Sequence, residues 1–129
     1  MSYESRTGAV LFAKNLDRVA AFYSAVLGLA EMHRDADHIL LESPGFQLVV
    51  HRIVGGGSGA ADSTDPARRE TAAFKPVFFV PSLARVRNAA DAHGGALEGA
   101  DREWSFNGVT VCDGIDPEGN VIQFREHGA

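Results

Sequence analysis

Chemistry in this chain has few places to come from. The histidines are His33, His38, His51, His93 and His127, and the one cysteine is Cys112. His33 and His38 flank the turn Asp35-Ala36-Asp37 and can approach each other. They lack the i, i+4 helical spacing of a zinc protease and a paired glutamate, so they read as partly exposed strand residues. His93 falls in the last turn of a helix, where an imidazole suits the dipole. A nucleophilic Cys112 needs a base and a depressed pKa, and no sequence neighbour supplies either, so it reads as a small buried hydrophobe. Gly56-Gly57-Ser58-Gly59-Ala60 misses the nucleophile elbow at its last position. The same glycines are followed by no Lys-Ser/Thr pair, which argues against a phosphate loop.

The composition narrows the setting. The chain has 129 residues, 45% hydrophobic and 22% charged, the balance of one folded domain rather than a disordered segment. Twelve basic against 17 acidic residues leave a formal charge of −5, unfavourable for binding nucleic acid. A single cysteine excludes a disulfide framework within the chain. No apolar run reaches the ~20 residues of a membrane span, and the first residues lack a signal-peptide pattern. A cytoplasmic protein is expected.

These residues must be positioned by elements that occur twice. Val10-Leu11-Phe12-Ala13 is followed by Leu16, Arg18 and Val19, and Val77-Phe78-Phe79-Val80 by Leu83, Arg85 and Val86 at the same spacing. Each apolar strand leads into a helix. In the first, Val19, Phe22, Tyr23, Val26 and Leu27 form the apolar stripe, Asn15 or Asp17 caps the start and Gly28 the end. In the second, Ser82 caps, Leu83, Val86 and Ala90 form the stripe, and Gly94 stops it. Three strands then follow in each half: about 29–34, 38–42 and 46–53, then about 96–99, 108–113 and 120–126. Asp116-Pro117-Glu118-Gly119 turns the last hairpin. The expectation is an α+β domain of two βαβββ modules, about 8–53 and 75–126, joined by a Gly- and Ala-rich linker at 54–73. Each module's sheet has one face under its helix and one left open.

The paired βαβββ pattern, Phe22-Tyr23 before Leu27-Gly28-Leu29, and Asp116-Pro117-Glu118-Gly119-Asn120 before the last strand together resemble the vicinal oxygen chelate superfamily. That group includes glyoxalase I, extradiol dioxygenases and the bleomycin- and fosfomycin-resistance proteins. The resemblance implies a glyoxalase-like fold whose open faces enclose a cleft. In its metalloenzymes, ligands on the first and last strand of each module hold a divalent ion. Those places correspond here to Gly8, Gln47 (with Val49 fitting the same face), Lys75 and Gln123. Glycine offers no donor, an ammonium repels a cation, and two neutral amides make a poor divalent site. No metal cofactor is therefore expected.

Strand alternation puts Gly8, Val10 and Phe12 on one face, and Lys75, Val77 and Phe79 on its equivalent. Gln47 and His51 line the first module's last strand; Gln123 and Arg125 line the second's. Trp104, on a rim loop beside Phe106, either covers a ligand or packs. Aromatic walls, two amides and the cations Lys75 and Arg125 suit a planar or amphipathic small molecule carrying a carbonyl or carboxylate. The first reading is a metal-free small-molecule-binding homodimer of the bleomycin-resistance type. The second is a glyoxalase-like lyase, isomerase or dioxygenase with a metal site rebuilt from His51, Gln47, Gln123 or another arrangement. A third is an interaction module whose open faces serve dimerisation.

Overall fold

Alternating burial along the strands and a repeated three-to-four-residue burial along the helices produce two sheets, each covered by one helix. The computed structural model describes residues 6–53 and 68–128. Most of the linker expected at 54–73 lies outside them.

In the first half the order is β1 (Thr7–Ala13), α1 (Leu16–Leu27), β2 (Ala30–Arg34), β3 (His38–Ser43) and β4 (Phe46–Arg52). The sheet order is β1-β4-β3-β2, with β1 parallel to β4 and the other pairs antiparallel. The Asn15 side chain accepts the Arg18 amide at 3.1 Å, capping α1, and Gly28 ends it with φ 67°, a conformation that costs glycine little. Leu16, Val19, Ala20, Phe22, Tyr23 and Val26 form its buried stripe. They pack on Ile39, Leu41, Leu48 and Val50, which alternate along β3 and β4.

The second half repeats the scheme with β5 (Val77–Phe79), α2 (Leu83–Ala92), β6 (Ala96–Leu97), β7 (Trp104–Phe106), β8 (Val109–Ile115) and β9 (Val121–His127). Strand β5 is parallel to β9, and β8 is antiparallel to β9. The strand expected at 96–99 is only two residues long. A 3-10 turn at Ala100–Arg102 interrupts it, and the edge resumes as β7, where a rim loop was expected. Both pieces pair with β8, Ala96 opposite Ile115 and Trp104 opposite Val111. Together they occupy the edge that β2 occupies in the first sheet, so the βαβββ repeat holds with one strand split. Asn107 (φ 47°) and Gly108 (φ 78°) make the tight turn into β8.

The halves share one core. Helices α1 and α2 pack together, and Phe78 meets Phe46 edge-to-face at 5.5 Å between ring centroids. The Glu118 carboxylate accepts the Lys14 amide at 2.9 Å and the Asn15 amide at 2.7 Å, placing a negative charge at the N-terminus of α1. Glu126 does the same for α2, accepting the Leu83 amide at 2.6 Å. No helix among the described residues is long and apolar enough to cross a membrane.

Candidate ligand-binding faces

The helix-free faces of both sheets carry large apolar side chains in the open. Phe12 is 59% and Phe79 57% exposed, and Val10, Val77, Trp104 and Phe106 are exposed with them. Such patches mark binding surfaces when polar groups converge on them. Both faces supply those groups.

On the first face, register places Gly8 opposite Gln47, Val10 opposite Val49 and Phe12 opposite His51. His51 stands opposite His38 in turn. The result is a row of rings across the sheet: Phe12 to His51 at 5.5 Å, His51 to His38 at 6.1 Å and near-parallel, and His38 to His33 at 5.3 Å. His51 Nδ1 lies 2.8 Å from the Arg52 carbonyl oxygen, which fixes the ring's orientation. Gln47 donates Nε2 to Glu42 at 3.3 Å, and Glu42 pairs with Arg6 at 2.9 Å. A Cβ at Gly8 would lie 2.9 Å from the Gln47 carbonyl oxygen, so the close strand approach requires glycine there.

The second face carries a connected polar chain. Lys75 Nζ donates to Asp113 Oδ2 at 3.1 Å, and Gln123 Nε2 donates to Asp113 Oδ1 at 3.2 Å. Arg125 Nε donates to Gln123 Oε1 at 2.9 Å. The Arg125 guanidinium lies 5.9 Å from the Phe79 centroid and 5.8 Å from that of Phe106, inside the range of cation–π attraction. Its two Nη groups have no hydrogen-bond partner among the described residues. Register aligns Phe79, Arg125, Val111 and Trp104 across the sheet. Of the two cations the sequence placed on this face, Lys75 is thus paired, because Asp113 neutralises it. Asp113 and His127, which stacks on Phe79 at 5.3 Å, are members of this face that sequence reasoning missed. The available signal was their alternation with Val111 and Arg125 on the last two strands.

The two sets are not joined within the chain: among the described residues no hydrogen bond or ring contact links Phe12, Gln47 or His51 to Lys75, Phe79, Gln123 or Arg125. A groove of about 380 Å³ between the end of α1 and the start of α2 touches the second face only at Phe79.

The donor chemistry at Gly8, Gln47, Lys75 and Gln123 does not fit a divalent cation. Gly8 has no side-chain donor, Lys75 brings a positive charge, and both amides point their NH₂ groups at carboxylates. Cys112 is buried, and burial pushes its thiol up, away from the thiolate. The carboxyl of Asp35, in the turn between His33 and His38, is held below the usual range by the Asp37 and His38 amides that donate to it.

No protein-family model matches the chain, and no curated protein matches it by sequence. Solved structures do match. A glyoxalase/bleomycin resistance protein/dioxygenase family enzyme from Burkholderia phytofirmans PsJN superposes with a TM-score of 0.69 at 17% identity, covering 95% of this chain and 98% of that one. A bleomycin resistance determinant encoded on the transposon Tn5 gives 0.62 at 17%, covering 97% and 99%. A genomically encoded fosfomycin resistance protein from Listeria monocytogenes gives 0.65 at 12%, covering 97% and 94%. Coverage is nearly end to end in each case, and the fold of this chain is that of the glyoxalase/bleomycin resistance/dioxygenase proteins.

Proposed function

We propose that this protein is a cytoplasmic small-molecule-binding member of the glyoxalase/bleomycin resistance/dioxygenase superfamily. It takes a planar or amphipathic ligand bearing a carboxylate or carbonyl, without a divalent metal at Gly8, Gln47, Lys75 and Gln123. The observation that carries this reading is Arg125. Its guanidinium is held between Phe79 and Phe106 and oriented by Gln123, which leaves the Nη fork for an acceptor while the rings offer apolar walls. The exposed aromatics of both faces support a second copy of the chain as the cover that closes the cleft.

The test is a thermal-shift panel of aromatic carboxylates and matched neutral amides, run on wild type, Arg125→Gln, Phe79→Ala and Phe12→Ala. Carboxylate-selective shifts that Arg125→Gln abolishes, and that either alanine weakens, are expected. A panel without shifts, or shifts indifferent to these changes, overturns the reading. Light scattering is expected to give a dimer. Elemental analysis is made on a variant with His33 and His38 both changed to Gln; stoichiometric metal retained there would revive the lyase, isomerase or dioxygenase alternative.

A further inference from the structure

We infer that His33, Asp35 and His38, on the β2–β3 hairpin, form a binding site for a divalent transition-metal ion such as Zn²⁺ or Ni²⁺. One donor atom from each lies within 4.8 Å of the others. His33 Nε2 stands 3.5 Å from Asp35 Oδ2, and His38 Nδ1 stands 3.2 Å from Asp35 Oδ1. Ligand atoms ~2.0–2.1 Å from Zn²⁺ at tetrahedral angles stand ~3.3 Å apart, so each imidazole nitrogen is about one such bite from the carboxylate oxygen it faces, Oδ2 for His33 and Oδ1 for His38. Two imidazoles and one carboxylate select borderline transition metals over Ca²⁺ or Mg²⁺, which take oxygen alone. Three protein ligands leave a further coordination position for water or an exogenous donor.

The turn that carries Asp35 and joins the strands of His33 and His38 is held from several sides. Asp35 Oδ1 accepts the amides of Asp37 at 2.8 Å and His38 at 3.0 Å. The Arg52 guanidinium donates twice to the Ala36 carbonyl, at 3.0 and 2.9 Å, and the Arg52 amide donates to the Asp37 carbonyl at 2.7 Å. The nearby cation Arg34 is itself bound by Glu31 and Asp17. His38 is also set by stacking on His51 across β3 and β4. Asp35 and His38, pinned this way, lose little freedom on binding an ion.

His38 is four residues along the sheet from the Gly8–Gln47 row, roughly 13 Å at strand rise. The site therefore does not depend on the ligand reading of the open faces. It borders the Phe12–His51 end of the first face, where an ion's open position would meet a donor carried by a molecule lying on that face.

The test titrates the whole protein with ZnCl₂ and NiCl₂ by calorimetry, and with CoCl₂ by visible absorption. One ion per chain is expected. His33→Gln and His38→Gln should each weaken it by at least ~100-fold, beyond what outer-shell changes produce. Asp35→Asn keeps an oxygen for the two amides, so it removes the anionic ligand without removing the turn's hydrogen bonds. It should weaken binding and lower the metal-free melting temperature only slightly, because the amide bonds persist without the charge that strengthens them. Binding equal in wild type and the His33→Gln/His38→Gln double variant, or no binding in wild type, overturns the inference. The double variant's circular dichroism and melting temperature establish that it is folded.

Discussion

The Tyr23 hydroxyl donates to Asp116 Oδ2 at 2.7 Å, joining the middle of α1 to the turn before β9 across 93 residues of sequence. Asp116 is fully buried and also accepts the Glu118 and Asn120 amides, at 2.9 and 3.0 Å, and Asn120 Nδ2 at 2.8 Å. The carboxylate is satisfied from four directions, three of them from its own turn. The contact explains why Phe22-Tyr23 and Asp116-Pro117-Glu118-Gly119-Asn120 occur together: one motif supplies the donor and the other the acceptor.

Alkaline pH should separate Tyr23 from its phenylalanine variant. Burial first, then the Asp116 charge and its hydrogen bond, raise the Tyr23 phenol well above its ordinary value of 10.0. A raised folded-state pKa means the folded chain holds its proton where the unfolded chain releases it. This contribution is fully present below pH 10 and is lost as pH rises from there through the folded pKa. Urea unfolding at pH 7 should show Tyr23→Phe about 1–2 kcal/mol less stable. The gap should narrow or reverse above pH 10, and a parallel decline of both proteins would refute the assignment.

Glu118 should matter to both halves. Its carboxylate accepts two amides at the start of α1, and its own carbonyl accepts Arg69 Nε at 3.2 Å. Removing the side chain leaves two partly buried N–H groups without their acceptor and takes a charge from a helix N-terminus. Glu118→Ala should cost about 2–3 kcal/mol in urea unfolding, and Glu118→Gln, which keeps one oxygen, about half of that. The m-value should stay unchanged, since the surface exposed on unfolding is the same.

What the sequence made legible was local. The stripe of α1, its Asn15 and Gly28 caps and the Asp116 turn follow from spacing and residue chemistry within a few positions, and the structure has them in place. Strand β7 did not show, because Trp104-Ser105-Phe106 is too short to carry a period and becomes a strand only by pairing with Val109–Val111. The same holds for the candidate sites. Lys75 reads as a cation open to a ligand until the fold brings Asp113 to it across 38 residues. Asp35 reads as a turn-former, which it is, but the turn also aims its carboxylate at His33 and His38.

Cys112 should be inert while the protein is folded. It is fully buried, its thiol is 3.3 Å from the Glu98 carbonyl, and burial raises its pKa. Labelling by a thiol reagent at pH 8, at a concentration low enough that refolding outpaces reaction, should therefore accelerate with urea in step with the fraction unfolded. Rapid labelling of the native chain would mean that the α2 side of the second sheet opens locally.

Asp113→Asn should strengthen the binding of an anionic ligand with little effect on stability. The Lys75–Asp113 pair is 3.1 Å long, but the Lys75 side chain is 43% exposed, so solvent screens it and its loss should cost no more than ~1 kcal/mol. Asparagine keeps an oxygen for Gln123 Nε2, so the link through Gln123 to Arg125 survives. What changes is the charge of the face. Lys75 and Arg125 against Asp113 sum to one positive charge; without the carboxylate they sum to two, and Lys75 becomes available to a ligand. A carboxylate that binds Arg125 should bind Asp113→Asn ~2–5-fold more tightly than wild type, the equivalent of an exposed ion pair gained. The matched neutral amide should bind both proteins equally. Equal carboxylate affinity in both would place the ligand away from Lys75, and weaker affinity would mean that Asp113 itself contacts the ligand.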